Sequence, residues 1–199
     1  MRCGIIAILF LLNAAPAVAQ SQYFPNGAFA RQGYAGAFAA EWYSHALKSL
    51  DEPSLWKLSQ NDKNAVVYRF LWLRSFHHPV AIRVIVAPDG TAEIAIKVTS
   101  GSGGYALGRL IENQTKKLSA IKVKDLLERV KSANFWKLPT EDKNARRGLD
   151  GAEWILEGVQ QGNYHVVVRW TPTKGSYHDL CWFFVRNLAR MSIPKKEIY

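Results

Sequence analysis

Apolar and polar residues alternate with a period of two along five stretches of this chain, and recur with helical spacing along three others. In residues 65–76, Tyr68, Phe70 and Trp72 alternate with Val67, Arg69, Leu71 and Leu73, so both faces are largely apolar and a central strand is expected. Residues 80–87 and 91–99 flank Pro88-Asp89-Gly90, which suits a type I turn closed by a left-handed glycine. That hairpin places Val80, Ile82, Val84, Val86, Ala92, Ile94, Ile96 and Val98 on one face and Arg83, Glu93 and Lys97 on the other.

A second hairpin joins residues 152–159 to 163–171 through Gln160-Gln161-Gly162. A three-residue loop pairs Glu157 with His165 and Glu153 with Arg169. It leaves Trp154, Leu156, Tyr164, Val166, Val168 and Trp170 together on an apolar face. A two-residue loop would mix the faces, so burial of one face selects the longer loop. The same pairing suggests a polar sheet face on which a carboxylate raises the pKa of a histidine, the chemistry of a binding or acid/base site.

Helical spacing predicts a helix over 37–50, with Phe38, Trp42, Ala46, Leu47 and Leu50 on one side, and a short turn opened by Pro53. It predicts another over 123–133 on Val123, Leu126, Leu127 and Val130, and a last helix from Ser176 carrying Leu180, Cys181, Phe184, Leu188 and Met191. The expected fold is α+β: a single antiparallel sheet of about five strands, including two tight hairpins, with three amphipathic helices packed on one face.

Between these elements, residues 100–108, SGSGGYALG, form a glycine loop after a strand. It has neither the lysine-hydroxyl ending of a P-loop nor dinucleotide-fingerprint spacing, so it reads as a mobile loop or lid with Tyr105 at its tip. His77 and His78 point to opposite faces of a strand and do not chelate one ion there. Asn113-Gln114-Thr115 has the form of a glycosylation acceptor, relevant only to a eukaryotic secretory pathway. No cofactor or metal site is expected.

The N-terminus changes the setting. Arg2, the apolar run 4–12 and Ala17-Val18-Ala19 make residues 1–19 a secretory signal peptide, with 20–36 a loosely ordered lead-in to one domain spanning 20–199. The expected location is therefore exported, periplasmic or secreted, with no transmembrane segment in the mature chain. Of the chain's 2 cysteines only Cys181 then stays, which excludes an intramolecular disulfide. Loss of Arg2 lowers the net charge from +10 to +9, which favours an anionic envelope component or a protein partner over nucleic acid.

These features point to an exported, non-catalytic binding or accessory domain that uses Glu153, Glu157, His165, Arg169 and Tyr105. One alternative is a hydrolase built on Glu157 and His165, with Arg169 holding an anion. Another is a carbohydrate-binding module, suggested by the 7 tryptophans. Export is expected to leave Gln20 as the first residue. N-terminal sequencing of protein recovered outside the cytoplasm checks this, and a start at Met1 there would refute it.

Overall fold

A computed structural model describes residues 23–29, 34–142, 148 and 150–199. The expected signal peptide and the charged loop residues 143–147 lie outside them. The fold is α+β, built on one antiparallel sheet of six strands. In chain order these are β1 (Val66–Arg74), β2 (Val80–Val86), β3 (Ala92–Thr99), β4 (Leu110–Leu118), β5 (Ala152–Gln160) and β6 (Asn163–Trp170), arranged β4-β3-β2-β1-β5-β6. β1 lies between β2 and β5 and is buried along nearly its whole length, as its two-sided apolar pattern requires.

The helices cover both faces of the sheet. α3 (Ala120–Ser132) and α4 (Ser176–Phe183), the latter continued by a π turn, pack on the side of Phe70, Trp72, Ile82, Ile96, Trp154 and Val167. α1 (Tyr34–Ser49) packs on the other side against Leu71, Leu73, Ala81, Ile155, Val166 and Val168, and the short α2 (Leu55–Asn61) sets Leu55 beside Val67 and Val159. The one-sided helical layer is thus corrected to a layer on each side. The physical reason lies in β1 and β5, which are buried on both faces and so need covering from both sides.

The α1 stripe is Ala39, Tyr43, Ala46 and Leu47, continued by Leu50, which turns Phe38 to solvent. Part of the expected lead-in is anchored there too, because Phe24 and Phe29 meet Tyr43 edge to face. β4 is the strand the sequence concealed. Its residues, LIENQTKKL, are exposed or half-exposed throughout, so no alternation marks it.

The β2–β3 hairpin has the expected register, Val84 opposite Ile94 and Ile82 opposite Ile96. The β5–β6 hairpin does not. Glu157 pairs with Val166, Gly158 with His165, Glu153 with Trp170 and Trp154 with Arg169. The loop is the two-residue Gln161-Gly162, whose φ angles of 52° and 74° are those of a type I′ turn. Trp154 and Val168 consequently face opposite sides. Burial of one apolar face does not select the loop here, because β5 is buried on both sides and has no exposed face to be kept polar.

The turn offers a check on the register. Gln161 holds a left-handed conformation that glycine and asparagine adopt more readily. Gln161→Asn is expected to stabilise the fold by up to ~1 kcal/mol, and Gly162→Val to lower stability by ~1–2 kcal/mol. Urea unfolding midpoints measure both, and a three-residue loop would leave Gln161→Asn neutral.

Candidate functional site

The sheet face beneath α1 carries charge at its centre. Arg69 on β1 stands directly across from Arg83 on β2 and Glu157 on β5, and Lys97 on β3 lies on the same face. Glu52 descends onto them from the connection between α1 and α2. That descent is set locally: Asp51 takes a left-handed φ of 52° as α1 ends, and Pro53 follows it.

Arg69 and Glu157 are both 0 % exposed. Arg69 donates to Glu157 Oε2 from Nε at 2.8 Å and from Nη2 at 2.6 Å, and from Nη1 to the Pro53 carbonyl at 2.6 Å and Glu52 Oε2 at 3.3 Å. Tyr164 donates its hydroxyl to Glu157 Oε1 at 2.9 Å. Arg83 Nε donates to Glu52 Oε2 at 2.8 Å, while Lys97 Nζ donates to the Asp51 carbonyl and lies 3.4 Å from Glu52 Oε1.

Burial pushes both carboxyls up, and their neighbours decide the outcome. For Glu52, Arg69, Arg83 and Lys97 outweigh burial and hold it below the usual carboxylate range. For Glu157, burial prevails over Arg69 and Tyr164, so it sits above that range. Burial also pushes the Tyr164 hydroxyl well above its ordinary value, which keeps it a donor.

The residues expected to act together are dispersed. Glu157 belongs to this internal network, whereas His165 faces the opposite side of the sheet. There the His165 ring packs edge-on to Phe135 and donates from Nε2 to the Leu138 carbonyl at 3.0 Å. Burial lowers its pKa, the reverse of the shift a neighbouring carboxylate would give. Arg169 donates to the carbonyls of Pro139, Thr140 and Val168, clamping the segment before residue 142 onto β6. Glu153 is buried on β5 opposite Leu73 and Trp170.

Tyr105 is placed differently. It is 63 % exposed and stacks on Phe76, itself 54 % exposed, with ring centroids 5.9 Å apart. The glycine loop beneath it is docked, which corrects the lid reading. Gly103 N donates to the Arg74 carbonyl at 2.8 Å and to that of His77 at 3.1 Å, and Gly104 N donates to the Ser75 carbonyl at 3.3 Å. A Cβ on Gly103 would lie 2.7 Å from the Arg74 backbone, so glycine is what allows this approach. Trp42 of α1 donates its indole N–H to the Gly103 carbonyl at 3.2 Å and stacks on Phe38, which is 54 % exposed. The exposed large aromatic side chains among the described residues, Phe38, Phe76 and Tyr105, therefore gather around one loop.

A cleft of about 360 Å³ opens elsewhere, between the end of α3 and β1, lined by Tyr68, Val130, Lys131, Asn134, Trp136 and Gln160 among others. Among the described residues, no group of three or more His, Cys, Asp or Glu side chains is placed to hold a metal ion. No helix among them is long and apolar enough to cross a membrane. Cys181 is buried and its thiol pKa is pushed up by burial. Compared with known proteins, the chain matches no family model and no curated protein sequence.

Sequence reasoning missed the Arg69 network, although one signal was present. An arginine inside an otherwise apolar central strand needs a buried carboxylate, and β5 supplies one. Because Glu157 and His165 lie on opposite faces, Glu157→Gln is expected to leave the His165 pKa within a few tenths of its wild-type value, below 6.5. NMR titration of the ring protons checks this. A fall of about one unit on substitution would mean that the two side chains touch.

Proposed function

We propose that this chain is an exported, non-catalytic binding or accessory domain, and that it engages its partner through the aromatic end formed by Phe38, Phe76 and Tyr105. The observation that carries this reading is the Phe76–Tyr105 stack, exposed yet held on a loop fixed by backbone hydrogen bonds. Fixed aromatic side chains give contact area at low conformational cost, and for that reason they recur at binding hot spots. The polar sheet face contributes in another way, as the internal support of the fold.

The hydrolase reading loses its pairing, since Glu157 is engaged by Arg69 and Tyr164 and His165 lies across the sheet. The sugar-binding reading gains from the same stack, because a near-parallel aromatic pair presents a ring edge and face suited to the C–H surface of a pyranose. An anionic envelope component fits the net charge of +10, or +9 after cleavage.

Co-sedimentation with anionic lipid vesicles and with an insoluble acidic polysaccharide tests the proposal. Wild-type protein is expected to be retained by one of the two. Tyr105→Ala and Phe76→Ala are expected to weaken retention about tenfold, or ~1.4 kcal/mol, with an unchanged circular dichroism spectrum. Retention of both variants equal to wild type would overturn the proposed surface.

A further inference from the structure

The two edges of the sheet are finished in different ways. At the β6 edge, Val168 N donates to the Thr140 carbonyl at 2.7 Å, Glu141 bridges to Val168 in parallel, and Arg169 and His165 hold the carbonyls of residues 138–140. That edge is covered. At the other edge, β4 pairs only with β3, and among the described residues no strand lies beyond it.

β4 carries lysines at 116 and 117 but lacks several of the other devices that blunt an exposed edge. It runs nine residues, long for an edge strand, contains no proline, and its one irregularity lies at the Thr99–Leu110 end. Ile111 is 53 % exposed on it. A row of backbone N–H and C=O groups therefore faces solvent along β4, on alternate residues, as in any antiparallel edge.

The sequence of β4 is complementary to itself. Read about Gln114, LIENQTKKL sets Glu112 against Lys116, which share one face of the sheet. Two copies related by a two-fold axis through Gln114 would pair antiparallel with this contact made twice, and with Asn113 opposite Thr115. Cross-strand pairs of opposite charge or of apolar groups each stabilise a sheet, whereas like charges face to face destabilise it. Outward-facing groups on one residue in two permit only registers that pair odd with odd and even with even. Among the two-fold registers, centring on Glu112 or on Lys116 sets like charges opposed. Centring on Asn113 or Thr115 gives neither residue an opposite charge. Only the Gln114 register places opposite charges opposite. Lys117, the neighbouring charge, already lies across from Glu93 of its own sheet.

We propose that β4 is a self-association edge, at which a second copy of this chain pairs antiparallel about Gln114 and joins two six-stranded sheets into one. The occupant is a second copy because the charge pattern is symmetric about one residue. A foreign strand would have no need of that symmetry.

The test exchanges charges. Sedimentation velocity across a concentration series is run on full-length mature protein, on E112K, on K116E, and on an equimolar mixture of the two variants. Wild type is expected to dimerise. Each single swap sets like charges opposite twice and is expected to weaken self-association at least about tenfold. The mixture restores a dimer, since the E112K chain then carries lysine at both positions and the K116E chain carries glutamate at both. Amide exchange in β4 is expected to slow as wild type is concentrated. A wild type that stays monomeric throughout would overturn the proposal, leaving the edge to another protein's strand or to solvent. So would single swaps that dimerise like wild type, or a mixture that stays monomeric. Circular dichroism confirms that each variant is folded, and the mixture supplies the answer even where one swap lowers stability.

Discussion

A single guanidinium, that of Arg69, sits where the layers of this protein meet. It is fully buried in the central strand and bonds at once to Glu157 on the neighbouring strand, to Glu52 on the α1–α2 connection and to the Pro53 carbonyl. A charged group taken out of water at this depth is costly unless every donor finds an acceptor, and here the acceptors come from sheet and connection alike. The guanidinium suits the task because its donors are fixed in a plane and reach carboxylates from two sides. Burial alone would depress its ionisation, and Glu157 with Glu52 more than reverses that effect.

The rest of the α1 layer follows from this arrangement. Glu52 reaches the sheet only because Asp51 turns left-handed directly after α1. Arg83 and Lys97 then close around Glu52, so three strands hold one loop carboxylate. The loop fixes the end of α1, and α1 carries Trp42 to the glycine loop, where Gly103 accepts its indole hydrogen bond. The exposed aromatic end thus rests on an internal ionic scaffold some distance away. Chemistry that resembled a site in the sequence supports the fold, and the side chains exposed around the glycine loop include the aromatic Phe38, Phe76 and Tyr105.

Much of the architecture was legible in the residues. The two-sided apolar pattern of β1 marked a central strand, and Pro88-Asp89-Gly90 fixed the β2–β3 register, because one pattern and one turn agreed. The β5–β6 register was not legible, since a strand buried on both faces accepts either loop length as far as hydrophobicity is concerned. There Gln161 and Gly162 settled it through backbone conformation. β4 was concealed for the opposite reason, as an exposed edge strand needs no apolar face. The exposure of Tyr105 was readable from its place in a glycine loop. The partner of Glu157 was not readable, because Arg69 lies 88 residues away and only the sheet order brings them together.

The central claim is that Arg69 and Glu157 depend on one another inside the fold, and a double-mutant cycle by urea unfolding tests it most directly. Arg69→Met alone leaves the buried Glu157 without its cation and is expected to cost ~3–5 kcal/mol. Adding Glu157→Leu removes that uncompensated charge, so the double variant is expected to be more stable than Arg69→Met by itself. Losses that simply add, with the double variant less stable than wild type by the full sum of the two single losses, would contradict the account.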